Sequence, residues 1–171
     1  MSFIVDVEDY AGRKITFDQV GKRLQRTIAK QTRDQCRNIL DSGAINIRNN
    51  IIRGMRDSPP TGKLYFRGTR TSKKGKATKV FHRASSPGNY PRVDSGDLVQ
   101  SIGITRGIDE IQVGSRIFQD PYPYFLEVGT DNMEPRPWLG PSFDKEEGTI
   151  KQRLRAVLDK AVSDFTRGSG R

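Results

Sequence analysis

YPYFLEVGTDNMEPRPWLGP, residues 122 to 141, is the stretch around which the rest of this chain is organised. Tyr124, Phe125, Leu126 and Val128 lead into Gly129-Thr130, and a Pro-Arg-Pro-Trp clamp follows at 135 to 138. Gly129 reaches positive φ without steric cost, whereas Pro135 and Pro137 each fix φ and disfavour helix at the residue before them. The backbone is therefore expected to turn and then run extended, and the density of rings predicts a rigid, buried crossing. Trp138, the only tryptophan, follows the clamp and is expected in the core, because large aromatic side chains dominate buried area. Glu127 and Arg136 are the charges embedded in this run. An ion pair joining a strand end at Glu127 to the clamp at Arg136 would make both tolerable when buried, since an unpaired buried charge is costly. The alternative places both toward solvent or across a subunit boundary.

The chain has 171 residues, which fits a single domain over 1 to 166 and a flexible tail at 167 to 171. Hydrophobic residues make up only 33% and mean hydropathy is −0.69, so some segments must be solvated or covered by partners. No run of about 18 apolar residues occurs, which excludes a helical membrane span. The opening MSFIVDVEDY lacks the basic-then-apolar order of a signal peptide, so synthesis as a soluble cytoplasmic protein is expected. Cys36 and His82 are each alone in the chain, which leaves no internal disulfide and no cysteine-cluster metal site and gives poor support to a His-rich metal site or to a Cys/His nucleophile pair built by nearby residues. No cofactor or metal is expected.

The net charge of +10 is unevenly placed. Residues 58 to 93 hold nine Lys or Arg (63, 67, 70, 73, 74, 76, 79, 83 and 92) and no acid, leaving 21 basic against 20 acidic residues elsewhere. Within that remainder, residues 94 to 142 carry 3 basic and 8 acidic side chains, a balance of −5. A basic arm is thus inserted in a mildly acidic body.

In chain order, Phe3, Val5 and Val7 alternate with polar or outward positions as in a half-buried strand, and Ile15-Thr-Phe17 reads as its return. Asp18 is placed to cap a helix with apolar positions Val20, Leu24 and Ile28, continued by Cys36, Ile39, Leu40, Ala44, Ile47, Ile51 and Met55. Unbroken, it would be ~57 Å long at ~1.5 Å per residue, against a globule ~40 Å across. A break at Asp41-Ser42-Gly43, or a projecting helix packed on another subunit, is expected. Ser58-Pro59-Pro60 stops it. Leu64-Tyr-Phe66 and Val80-Phe81 read either as arms of a β-hairpin tipped by Ser72-Lys-Lys-Gly75 or as parts of a solvated loop. Asp94-Ser-Gly-Asp97 marks a turn or helix start, and Ile102 to Val113 a hairpin about Arg106-Gly-Ile-Asp109. Ser142 or Asp144 is expected to cap a last helix with Glu146 and Glu147 in its first turn. Its apolar face is Phe143, Ile150, Leu154, Val157, Leu158, Ala161, Val162 and Phe165.

Three pieces in order, HRASSPGNYPRVDSGDLVQSI (82 to 102), VGS (113 to 115) and YFLEVGT…RPWLGPSF (124 to 143), resemble small head-to-tail joining proteins of long-tailed bacteriophages, also called tail-completion, neck or minor tail proteins. Ser95 stands where the family pattern has Thr, and Trp138 where Phe is common. About 60 residues are covered, and the terminal helices match in kind only. The resemblance implies an α+β fold, with a small antiparallel sheet backed by N- and C-terminal helices. It also implies a ring at the virion neck or proximal tail, between the connector or adaptor and the tail-tube or tail-terminator proteins, through which DNA passes. No catalytic residue is implied. Tyr124, Glu127, Gly129, Thr130, Arg136, Pro137 and Trp138 would form its structural core motif.

Under this resemblance the basic arm, Lys63, Arg67, Arg70, Lys73, Lys74, Lys76, Lys79 and Arg83, either faces DNA in the channel or docks on an acidic protein surface. Protein contact is favoured, because firm attachment to DNA would impede its passage; contact with DNA would be transient and non-specific. The rival from another class is a free-standing nucleic-acid-binding protein, whose affinity would fall by roughly 0.9 in log-log salt slope for each phosphate neutralised. A hydrolase or nuclease would need clustered acids or a catalytic His, and Asp94 with Asp97 reads more simply as a turn. The polar composition further predicts a protein that is monomeric or only weakly associated in isolation and becomes a six- or twelvefold ring on its connector.

Overall fold

Ala44, Ile47, Ile51 and Met55 are three or four residues apart, a spacing that brings them to one face of a helix. In the computed structural model all four are buried on helix α1, Gln31–Asp57. The structure describes residues 30 to 108 and 110 to 168 together with two short strands, β1 (Val7–Glu8) and β2 (Lys14–Ile15). Side chains are described for residues 30 to 108 and 110 to 164. The Asp18 cap, the Val20, Leu24 and Ile28 positions, Phe3, Val5, Asp109, and the side chain of Phe165 lie outside the described residues.

The chain is α+β, as expected. After α1 come β3 (Leu64–Thr71) and β4 (Ala77–Arg83), then α2 (Asp97–Ser101), β5 (Ile102–Arg106), β6 (Ile111–Ser115), α3 (Tyr122–Val128) and α4 (Gly140–Gly168). Its sheets are antiparallel ladders of two strands, β3–β4 and β5–β6, with the two-residue ladder β1–β2 before them. The hairpin expected around residues 106 to 109 is β5–β6, in register from Ile102↔Ser115 to Arg106↔Ile111. The arm is a hairpin rather than a loop, and its tip is closed by Ser72 N–H donating to Lys76 O and Gly75 N–H to Ser72 O, both 2.9 Å.

The chain divides into two compact units, residues 43 to 147 and residues 1 to 42 with 148 to 171. In the latter, Ile39, Leu40, Ile150, Leu154, Val157 and Ala161 are half-buried, while Leu158 and Val162 are exposed. The larger unit holds the buried apolar residues Ala44, Ile47, Ile51, Met55, Leu98, Ile102 and Trp138. Its half of α1 is tied by side chains: Arg48 Nε donates to Ile102 O at 3.1 Å, and Asn46 and Asn50 donate to the Glu146 carboxylate at 3.2 and 3.3 Å. Gly54 lies against the Tyr90 ring so closely that a Cβ there would come within 2.5 Å of it.

Three expectations are corrected. α1 does not break at Asp41-Ser42-Gly43: it runs on to Asp57, and the Ser42 hydroxyl donates back to Ile39 O, inside the helix. Such local bonding lets a serine sit within a helix without ending it. The stretch 122 to 128 is helical, with Pro123 in the first turn, where a missing N–H costs nothing. Gly129, at φ 82, ends the helix, and a turn bridged by Thr130 and Met133 comes before the irregular segment 134 to 137. The stretch is not a buried crossing either: Tyr124 is 63% exposed and so lies outside the core, with Phe125 and Val128 also exposed. Finally, α4 starts at Gly140, so Ser142 and Asp144 lie inside it, no acid occupies its first turn, and Arg167 and Gly168 belong to it rather than to a frayed tail.

Trp138 is 4% exposed, and its Nε1 donates to Pro123 O at 3.0 Å. Trp138→Ala is expected to cost about 3–5 kcal/mol, read by denaturant unfolding followed by circular dichroism. A loss below about 1 kcal/mol would mean that the ring contributes little to the core.

Candidate functional site

The Pro clamp and α3 are joined by one carboxylate. Glu127, near the end of α3, accepts from Trp138 N–H (2.7 Å) and Leu139 N–H (2.9 Å) through Oε2, and from Gly140 N–H (2.9 Å) through Oε1. These amides stand at the start of α4, where backbone N–H groups lack helical partners and the helix dipole favours negative charge. Glu127 is therefore the cap of α4, supplied from another element in place of the serine or aspartate expected within it. The anticipated Glu127–Arg136 ion pair does not form, because the carboxylate is engaged by backbone. Arg136 N–H donates to Leu126 O at 2.7 Å and its Nε to Ser85 O at 3.0 Å, leaving the residue 8% exposed.

Gly129 and Thr130 close the same junction. Gly129 N–H donates to Phe125 O, and Thr130 and Met133 exchange backbone bonds across a two-residue turn. A Cβ on Gly129 would stand 2.8 Å from Met133 O and 3.1 Å from Pro135, so the position excludes a side chain both by φ and by space. Pro137 is half-buried beside Trp138. Of the expected core motif, Glu127, Gly129, Thr130, Arg136, Pro137 and Trp138 gather at this junction, and Tyr124 does not.

Beside the junction lies a cavity of about 480 Å³. Met55, Leu98, Leu126 and Met133 give it apolar walls, and Arg67, His82, Asp94, Asp97, Tyr122 and Arg136 give it polar ones. Arg67 reaches it because it is the extra residue of a bulge between Phe66↔Phe81 and Gly68↔Val80, and a bulge re-aims its side chain. Its Nε lies 2.9 Å from Asp94 Oδ2, and His82 Nδ1 lies 3.5 Å from Asp94 Oδ1. Burial pushes the Tyr122 phenol above its ordinary value, and the Asp97, Asp120 and Asp94 carboxylates push it further. Three carboxylates thus act on one hydroxyl at this cavity.

The rest of the arm faces solvent. Leu64, Tyr65, Phe66, Val80 and Phe81 are exposed, with Phe66 and Phe81 stacked edge to face at 5.6 Å. Lys63 Nζ lies over the Tyr65 ring, and Arg83 Nη1 donates to Gly62 O. Arg70, Lys73, Lys74, Lys76 and Lys79 are exposed toward the tip. The predicted arm residues therefore split: Arg67 joins the cavity at the base, and most of the others form a free basic surface. Sequence reading did not find Asp94, Asp97, Tyr122 and His82 as a group, although the turn at 94 to 97 was visible. No protein-family model, curated protein or solved structure matches the chain.

Two outcomes test this geometry. Glu127→Ala should destabilise by roughly 1–3 kcal/mol, as loss of a charged acceptor leaves N–H groups unpaired, while Glu127→Gln, which keeps one acceptor, should lose less; equal losses in urea titration would argue against the cap. The raised Tyr122 pKa means that its contribution to stability is complete below the unfolded value of about 10 and is lost as pH rises through the folded value. Absorbance titration should show a late-ionising tyrosine that Tyr122→Phe removes; an unchanged curve would place the phenol in water.

Proposed function

We propose that this chain is a structural virion protein of a tailed phage, one subunit of a ring at the neck that joins the head connector to the tail and lets DNA pass. The ordered resemblance of residues 82 to 143 to head-to-tail joining proteins supports this reading. The observation that carries it is the β3–β4 hairpin. A two-stranded ladder is marginal in water by itself, yet this one exposes five large apolar side chains among its basic ones. Such a surface is what a docking element leaves uncovered before assembly. On this reading the role involves no catalysis, and the partners are the connector or adaptor, the tail-tube or terminator proteins, and further copies of the chain. Synthesis in the host cytoplasm would precede incorporation into the virion. Among the described residues, no helix is long and apolar enough to cross a membrane.

The second reading, an independent nucleic-acid-binding protein, draws on the same positive tip. One variant separates them. Replacing residues 68 to 79 by a short Gly-Ser turn removes Arg70, Lys73, Lys74, Lys76 and Lys79 but keeps the Phe66–Phe81 contact and the Arg67–Asp94 pair. Shortening a loop changes closure entropy by only ~0.6 kcal/mol per doubling of length, so the body should stay folded. The neck reading expects weak DNA binding by the wild type, and infected cells carrying the variant to accumulate filled heads and unattached tails in electron micrographs. Tight, salt-sensitive DNA binding in fluorescence anisotropy, lost in a variant that still yields complete virions, would overturn it.

A further inference from the structure

The acidic surplus of residues 94 to 142 is not spread evenly. Asp94, Asp97 and Tyr122 line the cavity, Asp120 accepts from Tyr122 N–H at 2.9 Å, and exposed Asp131 and Glu134 flank Met133, which lines it too. Asp94 is satisfied by Arg67 and His82 of the same chain. Asp131 and Glu134 make no side-chain hydrogen bond or ion pair among the described residues. Next to these acids, α3 presents Tyr124, Phe125 and Val128 to solvent, and Phe118 before it is 88% exposed.

This acidic, ring-bearing surface has its complement on the same molecule, at the wrong distance. Arg67 and His82 fix the base of the hairpin beside the acids, whereas Lys73, Lys74 and Lys76 lie at the tip, the far end of the eight-residue strand β3. At about 3.3 Å per residue the strand runs on by roughly 13 Å from Arg67 to Thr71 before the turn that bears these lysines. The tip thus stands off the acids that its own base meets, and a neighbour's acids offer it a partner. Opposite charge and exposed rings on both sides give one surface pair the means to recognise itself between copies. A contact in which one patch meets a different patch is heterologous, and repetition of it generates a ring or a filament rather than a closed dimer.

We propose that the basic β3–β4 hairpin of one copy docks, through the lysines at its tip, on the acidic face formed by Asp97, Asp120, Asp131 and Glu134 of the next. The partner is a second copy of this chain. The inference rests on the reading that the protein works as several copies side by side, and it names the surfaces through which they join.

The test uses purified full-length protein and two charge reversals. The arm variant is K73E/K74E/K76E; the body variant is D131K/E134K, chosen because those carboxylates make no internal contact among the described residues, and D97K/D120K serves as a second body variant. Circular dichroism and thermal unfolding establish that each is folded, and sedimentation velocity at several hundred micromolar follows association at low and high salt. Wild type should associate weakly at low salt and dissociate at high salt, since exposed charge pairs are screened. Each reversal alone should weaken association by about tenfold or more. An equimolar mixture of arm and body variants should associate again, because each then meets its opposite in both directions. A wild type that stays monomeric at low salt, reversals that associate like wild type, or a mixture that stays apart would each overturn the proposal. These readouts need no virion, so they stand apart from the test of the neck reading, which is read from particles.

Discussion

The Glu127 carboxylate and the three consecutive amides it accepts are the constraint on which the larger unit depends. They start α4, they hold the end of α3 to that start, and they fix the backbone of Trp138 as its indole donates to Pro123. A carboxylate at a helix N-terminus is favoured by both the unpaired N–H groups and the dipole, and charge-assisted bonds are roughly twice as strong as neutral ones. Around this clasp the remaining polar groups are shared economically. Ser142, fully buried, donates to Trp138 O and meets the Tyr90 hydroxyl, and the Tyr90 ring closes on Gly54 of α1. The clamp, expected to run extended in a rigid, buried crossing, is therefore a helix-to-helix joint.

The clasp also explains why the surface is divided as it is. With Glu127 used for capping and Arg136 turned toward Ser85, neither charge is available to the outside, and α3 is left to show its rings to solvent. The cavity beside the joint gathers carboxylates at one side, while the bulge at Arg67 anchors the hairpin there and sends the lysines away from it. The result is a chain with acid at the base of an exposed basic ribbon.

Much of this was legible in the sequence wherever a pattern is local. Alternation about a Gly-containing turn located β5–β6, while the arm stayed open between a hairpin and a solvated loop; the spacing of Ala44, Ile47, Ile51 and Met55 located the buried face of α1, and Ser58-Pro59-Pro60 marked its end. Trp138 was placed correctly because a single large aromatic after two prolines has few exposed alternatives. What failed were the partnerships formed across chain distance. Glu127 has backbone partners, and backbone N–H groups carry no sequence signature, so the nearest side chain of opposite charge was chosen wrongly. The strand end expected at Glu127 is instead the end of α3, whose Pro123 sits in the first helical turn, where proline is tolerated. The meeting of Asp94, Arg67 and His82 arises only when the hairpin base folds onto the loop at 91 to 97, and a bulge sets it. The proposed function draws on an ordered resemblance of residues 82 to 143 and on a hairpin whose exposure becomes visible only in three dimensions.

Location decides between a subunit of the particle and a protein of the infected cell. Gold-labelled polyclonal antibody raised against the whole protein, applied to purified particles and to heads and tails separated from them, tests this directly. The account predicts label confined to the junction of head and tail, and to one of the two separated ends. Particles free of label, with the protein recovered only from the soluble lysate, would contradict it.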